Sequence, residues 1–183
     1  MVIDLMAAFL IFVTIAGSIM WVWDGKAADA ENRLFENERF VMAQRTLDTL
    51  IRSQGMPENW ETVDAQSIKV VGIAKRDLVI DKVKANKFKD LSTLDYDTLR
   101  TKLLIGGNEY YFRIAGQTTT VNDQMTTVFK AGKEPEDDVE AMTVRRPVIY
   151  TYRREGEDLL PLEENPHEAI AELTLYTAWR WRG

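Results

Sequence analysis

The chain has 183 residues, 23 basic against 29 acidic ones, and a formal net charge of −6. Its Lys and Arg residues are scattered, so the acidic balance speaks against nucleic acid as a partner. It has no cysteine, which removes disulfides, thiol catalysis and zinc–thiolate centres, and no Asn-x-Ser/Thr acceptor for N-glycosylation.

The first element is MVIDLMAAFLIFVTIAGSIMWVWDGK, in which no charged residue lies between Leu5 and Trp23. A helix over those positions covers about 28 Å, close to the hydrocarbon thickness of a bilayer. No Lys or Arg precedes the run, and it is longer than most signal-peptide cores, so it reads as a retained membrane helix over 2–23. Trp21 and Trp23 stand where interfacial aromatic anchors belong. Asp4 is out of place there, since a carboxylate in hydrocarbon costs up to ~3 kcal/mol and far less if it snorkels to the interface.

The helix is expected to continue. Residues 26–54 contain no proline and abound in good helix formers. Phe40, Ala43, Leu47, Leu50 and Ile51 recur at three- and four-residue steps and form one apolar stripe. Gly55 and Pro57 then stop the helix. Two regions follow from this reading: a long helix over 1–54, with a membrane span and an amphipathic half, and a globular head over 55–183.

In the head, SIKVVGIA (Ser67–Ala74) and DLVID (Asp77–Asp81) read as strands or extended segments. Short helices are predicted over Val83–Leu91 and Tyr96–Leu104, then a turn at Gly106–Gly107–Asn108. EYYFRIAG (Glu109–Gly116) is a strand, and TTTVND with MTTVFKAG reads as a hairpin around Asn122–Asp123. Glu140–Arg154 reads as a long strand in which Pro147 predicts an edge or a bulge, because proline cannot donate to a ladder. His167–Trp181 is the final strand. Strands without long helical crossovers imply an antiparallel sheet, so the predicted fold class is α+β, a long helix packed on that sheet. A chain beginning near Pro57 or near Ala28 should then fold without the membrane segment, the longer one melting higher.

Catalytic and metal-binding patterns are not found. There is no phosphate loop, GxGxxG or GxSxG, and the single histidine, His167, has no companion base or nucleophile. The chain is therefore read as a non-enzyme without cofactor or metal. The acidic run Glu134, Glu136, Asp137, Asp138 and Glu140 offers oxygen ligands for calcium, but without the alternating spacing and glycine of an EF-hand loop. Trp179 and Trp181 share one strand face, which is either core or a recognition surface.

An apolar segment running into an amphipathic helix and a sheet-rich head resembles a type IV pilin, most closely the archaeal pilin-like proteins of the minor or tip kind. VIDLMAAFLIF is similar to the start of such mature chains, and GMPENWE, VVGIAKRD and YDTLRTKLLIGGNEYYFRI are similar to segments of archaeal heads. The resemblance implies a subunit of a surface filament or its initiation complex. It would be inserted in the membrane with an outward-facing head and handled by pilus assembly machinery. It would join other pilin-like subunits through Asp4, Leu5, Phe9, Phe12, Ile15 and Ile19. Asp4 would pair with a neighbouring subunit's terminal amine, which would offset its cost in the apolar run. No basic residue followed by glycine precedes that run, so the prepilin peptidase site is not in this sequence, and either a processed form or a never-processed protein is expected. The alternative is a monomeric single-pass anchored protein whose head binds a ligand or partner outside the cell.

Overall fold

The computed structural model describes residues 2–117, 125–137, 139–151 and 166–177. Three α-helices, α1 (Val2–Arg52), α2 (Lys82–Leu94) and α3 (Tyr96–Lys102), and two short 3-10 turns accompany six strands. These are β1 (Ala74–Arg76), β2 (Val79–Ile80), β3 (Glu109–Gln117), β4 (Met125–Gly132), β5 (Ala141–Thr151) and β6 (Pro166–Tyr176). Residues Met1–Glu38 make one unit and Arg39–Gly183 a second. The mixture of helix and sheet is α+β.

Within the second unit the end of α1 supplies a wall of the core. Ala43, Leu47, Leu50 and Ile51 are completely buried, on the face their spacing predicts. Phe40 departs from that stripe and is exposed, while Arg39, one position earlier, is buried. Its guanidinium donates to the Thr177 hydroxyl at 2.8 Å and to the Glu140 carbonyl at 3.5 Å, which a phenyl ring cannot do.

The carbonyls that end α1 have no partners within the helix and must find them elsewhere. The Ile73 amide donates to Leu50 O at 2.8 Å and the Leu78 amide to Ile51 O at 3.1 Å. This explains why Ser67–Ala74, expected as a strand or extended segment, has only a single bridge, Met56 to Val70, before β1 begins at Ala74. Its polar backbone caps the helix instead of pairing along a ladder. Lys84 adds a second tie, its buried ammonium donating to the Gln54 carbonyl at 2.7 Å and the Glu58 carbonyl at 2.6 Å. The N-terminus of α2 is capped by Asp81, which accepts from the Val83 and Lys84 amides.

The strand order is β1-β2-β5-β6-β3-β4. β3 to β6 pair antiparallel as expected, but β2 joins β5 in parallel, so the sheet is mixed rather than antiparallel. The long connection from β2 through α2, α3, β3 and β4 to β5 permits that parallel pair. β5 spans Ala141–Thr151 within the predicted Glu140–Arg154, and residues 152–154 lie outside the described ones, as do the hairpin tip Asn122–Asp123 and residues 178–183.

Pro147 causes no bulge, since β5 and β6 stay in register from Ala141–Tyr176 to Thr151–Pro166. The Ile149 amide points away from β6, to Leu78 O at 2.8 Å, and by two-residue alternation position 147 faces the same way. There β2 pairs with β5 only at Ile149, so the missing donor falls on a locally unpaired side. One sheet face buries Tyr110, Phe112, Ile114, Phe129, Leu173 and Leu175 against the helices, with Phe88 of α2 edge-on to Phe112 at 5.8 Å.

Candidate functional site

The most exposed apolar surface described is in the first unit. Phe9–Ala27, 19 residues of mean hydropathy 1.3, is a helix long and apolar enough to cross a membrane, and none of it is buried. Phe9, Phe12, Ile15 and Ile19 are 55–68% exposed, and Trp21 and Trp23 80% and 73%. A soluble protein would carry a steep hydration cost for such a surface. Its polar side chains are satisfied locally: Thr14 Oγ1 donates to Leu10 O and Ser18 Oγ to Thr14 O, both at 2.8 Å. That back-bonding suits hydroxyls to an environment without water. Asp4 and Leu5 lie in the opening turns of α1, and their side chains are outside those described.

The other candidates belong to the second unit. His167 is the second residue of β6, half-buried and opposite Tyr150. Among the described residues no three His, Asp or Glu side chains are grouped to hold a metal. Asp138 lies outside the described residues, as do Trp179 and Trp181.

Two buried carboxylates escaped the sequence reading. Glu109, at the start of β3, receives Arg100 Nη1 at 2.7 Å and has Lys133 Nζ at 3.5 Å. Tyr96 stacks on Tyr110 with ring centres 5.0 Å apart, and its hydroxyl accepts from the Tyr110 amide at 3.1 Å. Lys133 Nζ lies 4.3 Å above the Tyr96 ring. Burial pushes the Glu109 carboxyl up, but the Tyr96 hydroxyl and the Lys133 and Arg100 charges together hold it below the ordinary range. Burial raises the Tyr96 and Tyr110 phenols, with the nearby Glu109 charge adding to the effect.

A group whose carboxyl is depressed on folding stabilises the fold above its unfolded pKa of about 4.3, and that contribution fades as pH falls through its lower folded value. Glu109→Gln should therefore cost about 2 kcal/mol at pH 7, the scale of a charge-assisted hydrogen bond. The gap to the native chain should close below about pH 4. Thermal melts of both proteins between pH 3 and 7 measure it, and a gap independent of pH would show that the carboxylate's charge contributes nothing.

The second carboxylate, Glu172, is 8% exposed on the other face of the sheet, between Arg113 on β3 and Arg145 on β5. Each arginine directs its Nε to the carboxylate, Arg145 at 2.6 Å. The only trace of this row in the sequence is the outward parity of each residue in its strand; nothing local aligns the three.

No known protein family, curated protein or solved structure matches the chain.

Proposed function

We propose that the protein is a non-enzymatic, pilin-like subunit, stored in the membrane by α1 and assembled through that helix into a surface filament or its initiation complex, with the head outside the cell. The observation that carries this reading is α1 itself. Its span Phe9–Ala27 is exposed, while Leu47, Leu50 and Ile51 near its end are buried in an α+β head. An apolar helix exposed in this way suits both lipid and a bundle of neighbouring helices, since each offers it an apolar surrounding. In the filament Phe9, Phe12, Ile15 and Ile19 would exchange lipid for neighbouring helices, with Asp4 paired to a terminal amine.

Asp4→Ala tests the reading. Removing a carboxylate makes the segment more apolar, so membrane insertion should be unharmed. Assembly would leave a poorly solvated ammonium without its partner, a cost of about 3 kcal/mol. The amount of variant in sheared filaments, normalised to its membrane pool, should fall at least tenfold relative to the native chain. A ratio near one, or no protein of either kind in filaments, leaves a solitary anchored protein.

A further inference from the structure

The face of the sheet that carries Glu172 has two features that α1 and the assembly reading do not use. The first is a groove of about 770 Å³ whose apolar lining includes Leu78, Met125, Pro147, Ile149 and Ile170, with Asp77, His167 and Glu168 as its polar groups. Its volume falls in the roughly 300–1,000 Å³ range of small-molecule sites, and its lining is mostly apolar with a few polar groups, as such sites are. Ile149 and Met125 are 38% and 44% exposed.

The second feature begins two residues along the same strands. Pro147 pairs with Ile170, and the next outward pair is Arg145 with Glu172, flanked by Arg113. That step is about 7 Å. Lys130 pairs with Arg113 on the next strand and lies 3.8 Å from Glu134, so Arg113, Arg145 and Lys130 face Glu172 and Glu134 and the row keeps one net positive charge. Both arginines meet Glu172 through Nε, and their terminal amino groups make no hydrogen bond to other described residues. Arg145 is 64% exposed and Arg113 38%, so both are open to a ligand. A guanidinium held in place by one carboxylate is oriented in advance for a second anion.

We propose that this face binds an organic anion with an apolar body, a carboxylate or sulfonate on an aromatic or aliphatic frame. The body lies between Leu78, Pro147, Ile149 and Ile170, and the anionic end on the terminal amino groups of Arg145 and Arg113. Glu168 pairs with Ile149, on the side of Ile170 away from the arginines, and Asp77 is 3.7 Å from Arg52. Glu168 repels an anion entering the other way round, which sets the ligand's direction. The inference concerns the second unit alone and stands or falls separately from filament assembly.

The test uses the full chain in phosphatidylcholine nanodiscs with its methionine methyl groups labelled, so that Met125 reports on the groove. Naphthalene-2-sulfonate should shift the Met125 methyl resonance to saturation. 2-Naphthylmethylammonium, of the same shape and opposite charge, should bind at least tenfold more weakly, and methanesulfonate, without the apolar body, likewise. Arg145→Gln should weaken the sulfonate at least tenfold, and Arg145→Lys less. A shift that does not saturate, or equal binding of the cationic and anionic probes, overturns the proposal on the unaltered protein. Unchanged affinity in a folded Arg145→Gln variant overturns it as well.

Discussion

A fragment beginning at Pro57 should fail to fold, whereas one beginning at Ala28 should fold and melt cooperatively. The sequence alone suggested that both would fold; the placement of α1 in the core argues otherwise. Leu47, Leu50 and Ile51 are completely buried. At about 1.5–3 kcal/mol for each large side chain, their removal takes away about 5–9 kcal/mol, comparable with the roughly 5–15 kcal/mol by which a typical domain is stable. Polar ties go with them. Leu50 O and Ile51 O no longer receive the Ile73 and Leu78 amides, Asp48 no longer accepts from Arg146 Nε at 3.2 Å, and Thr46 no longer donates to Leu103 O at 3.3 Å. Each lost partner leaves a polar group in a newly opened cavity or in water. Circular dichroism and thermal melting of the two fragments decide the matter. A cooperative transition for the shorter one within about 5 °C of the longer would mean that α1 adds about 1 kcal/mol, and that its stripe serves assembly rather than the head.

Gly72→Ala should be among the damaging single-methyl additions in the head, costing about 3 kcal/mol. A Cβ at position 72 would collide with Ser53 O and stand 2.6 Å from Gly55 N, both of them backbone atoms. Neither can swing aside as a flexible side chain would. The same carbonyl of Gly72 accepts Trp60 Nε1 at 2.7 Å, and Trp60 is wholly buried, so a shift that relieves the collision breaks that bond. Gly107→Ala is the control, since nothing lies within 4 Å of its added methyl. Gly107→Ala should change stability by no more than about 0.5 kcal/mol. Melting both variants in the fragment that starts at Ala28 measures the difference. Equal melting temperatures would mean that residues 53–55 yield easily, and that the close approach of Gly72 to the end of α1 is not tightly held.

Both predictions concern the same junction, where the end of α1 meets the segment after it. That junction was only half legible in the chain. The stripe Ala43, Leu47, Leu50 and Ile51 follows from three- and four-residue spacing, because a helix turns its own sequence into a face wherever it lies. The position of Arg39 in that face did not follow, since it depends on Thr177 and Glu140, more than a hundred residues away in sequence. Lys84 is similar. A lysine on a short helix reads as solvated until the carbonyls of Gln54 and Glu58 are found beside it.

What the sequence determined by itself is therefore what local periodicity and composition encode: an uncharged helix of membrane length, the amphipathic end of that helix, α2 and α3, and the four long strands. Proline at position 147 was legible as a constraint, but its outcome was not, because the free side of β5 exists only once β2 has paired at Ile149. Tertiary structure alone decided that β2 lies parallel to β5, that Ser67–Ala74 caps a helix, and that Arg113, Glu172 and Arg145 stand in one row. The physical reason is common to all three. Alternation fixes which face a residue takes, while register between strands far apart in the chain is set by packing and by the pairing of every buried polar group, and neither is written in any local stretch.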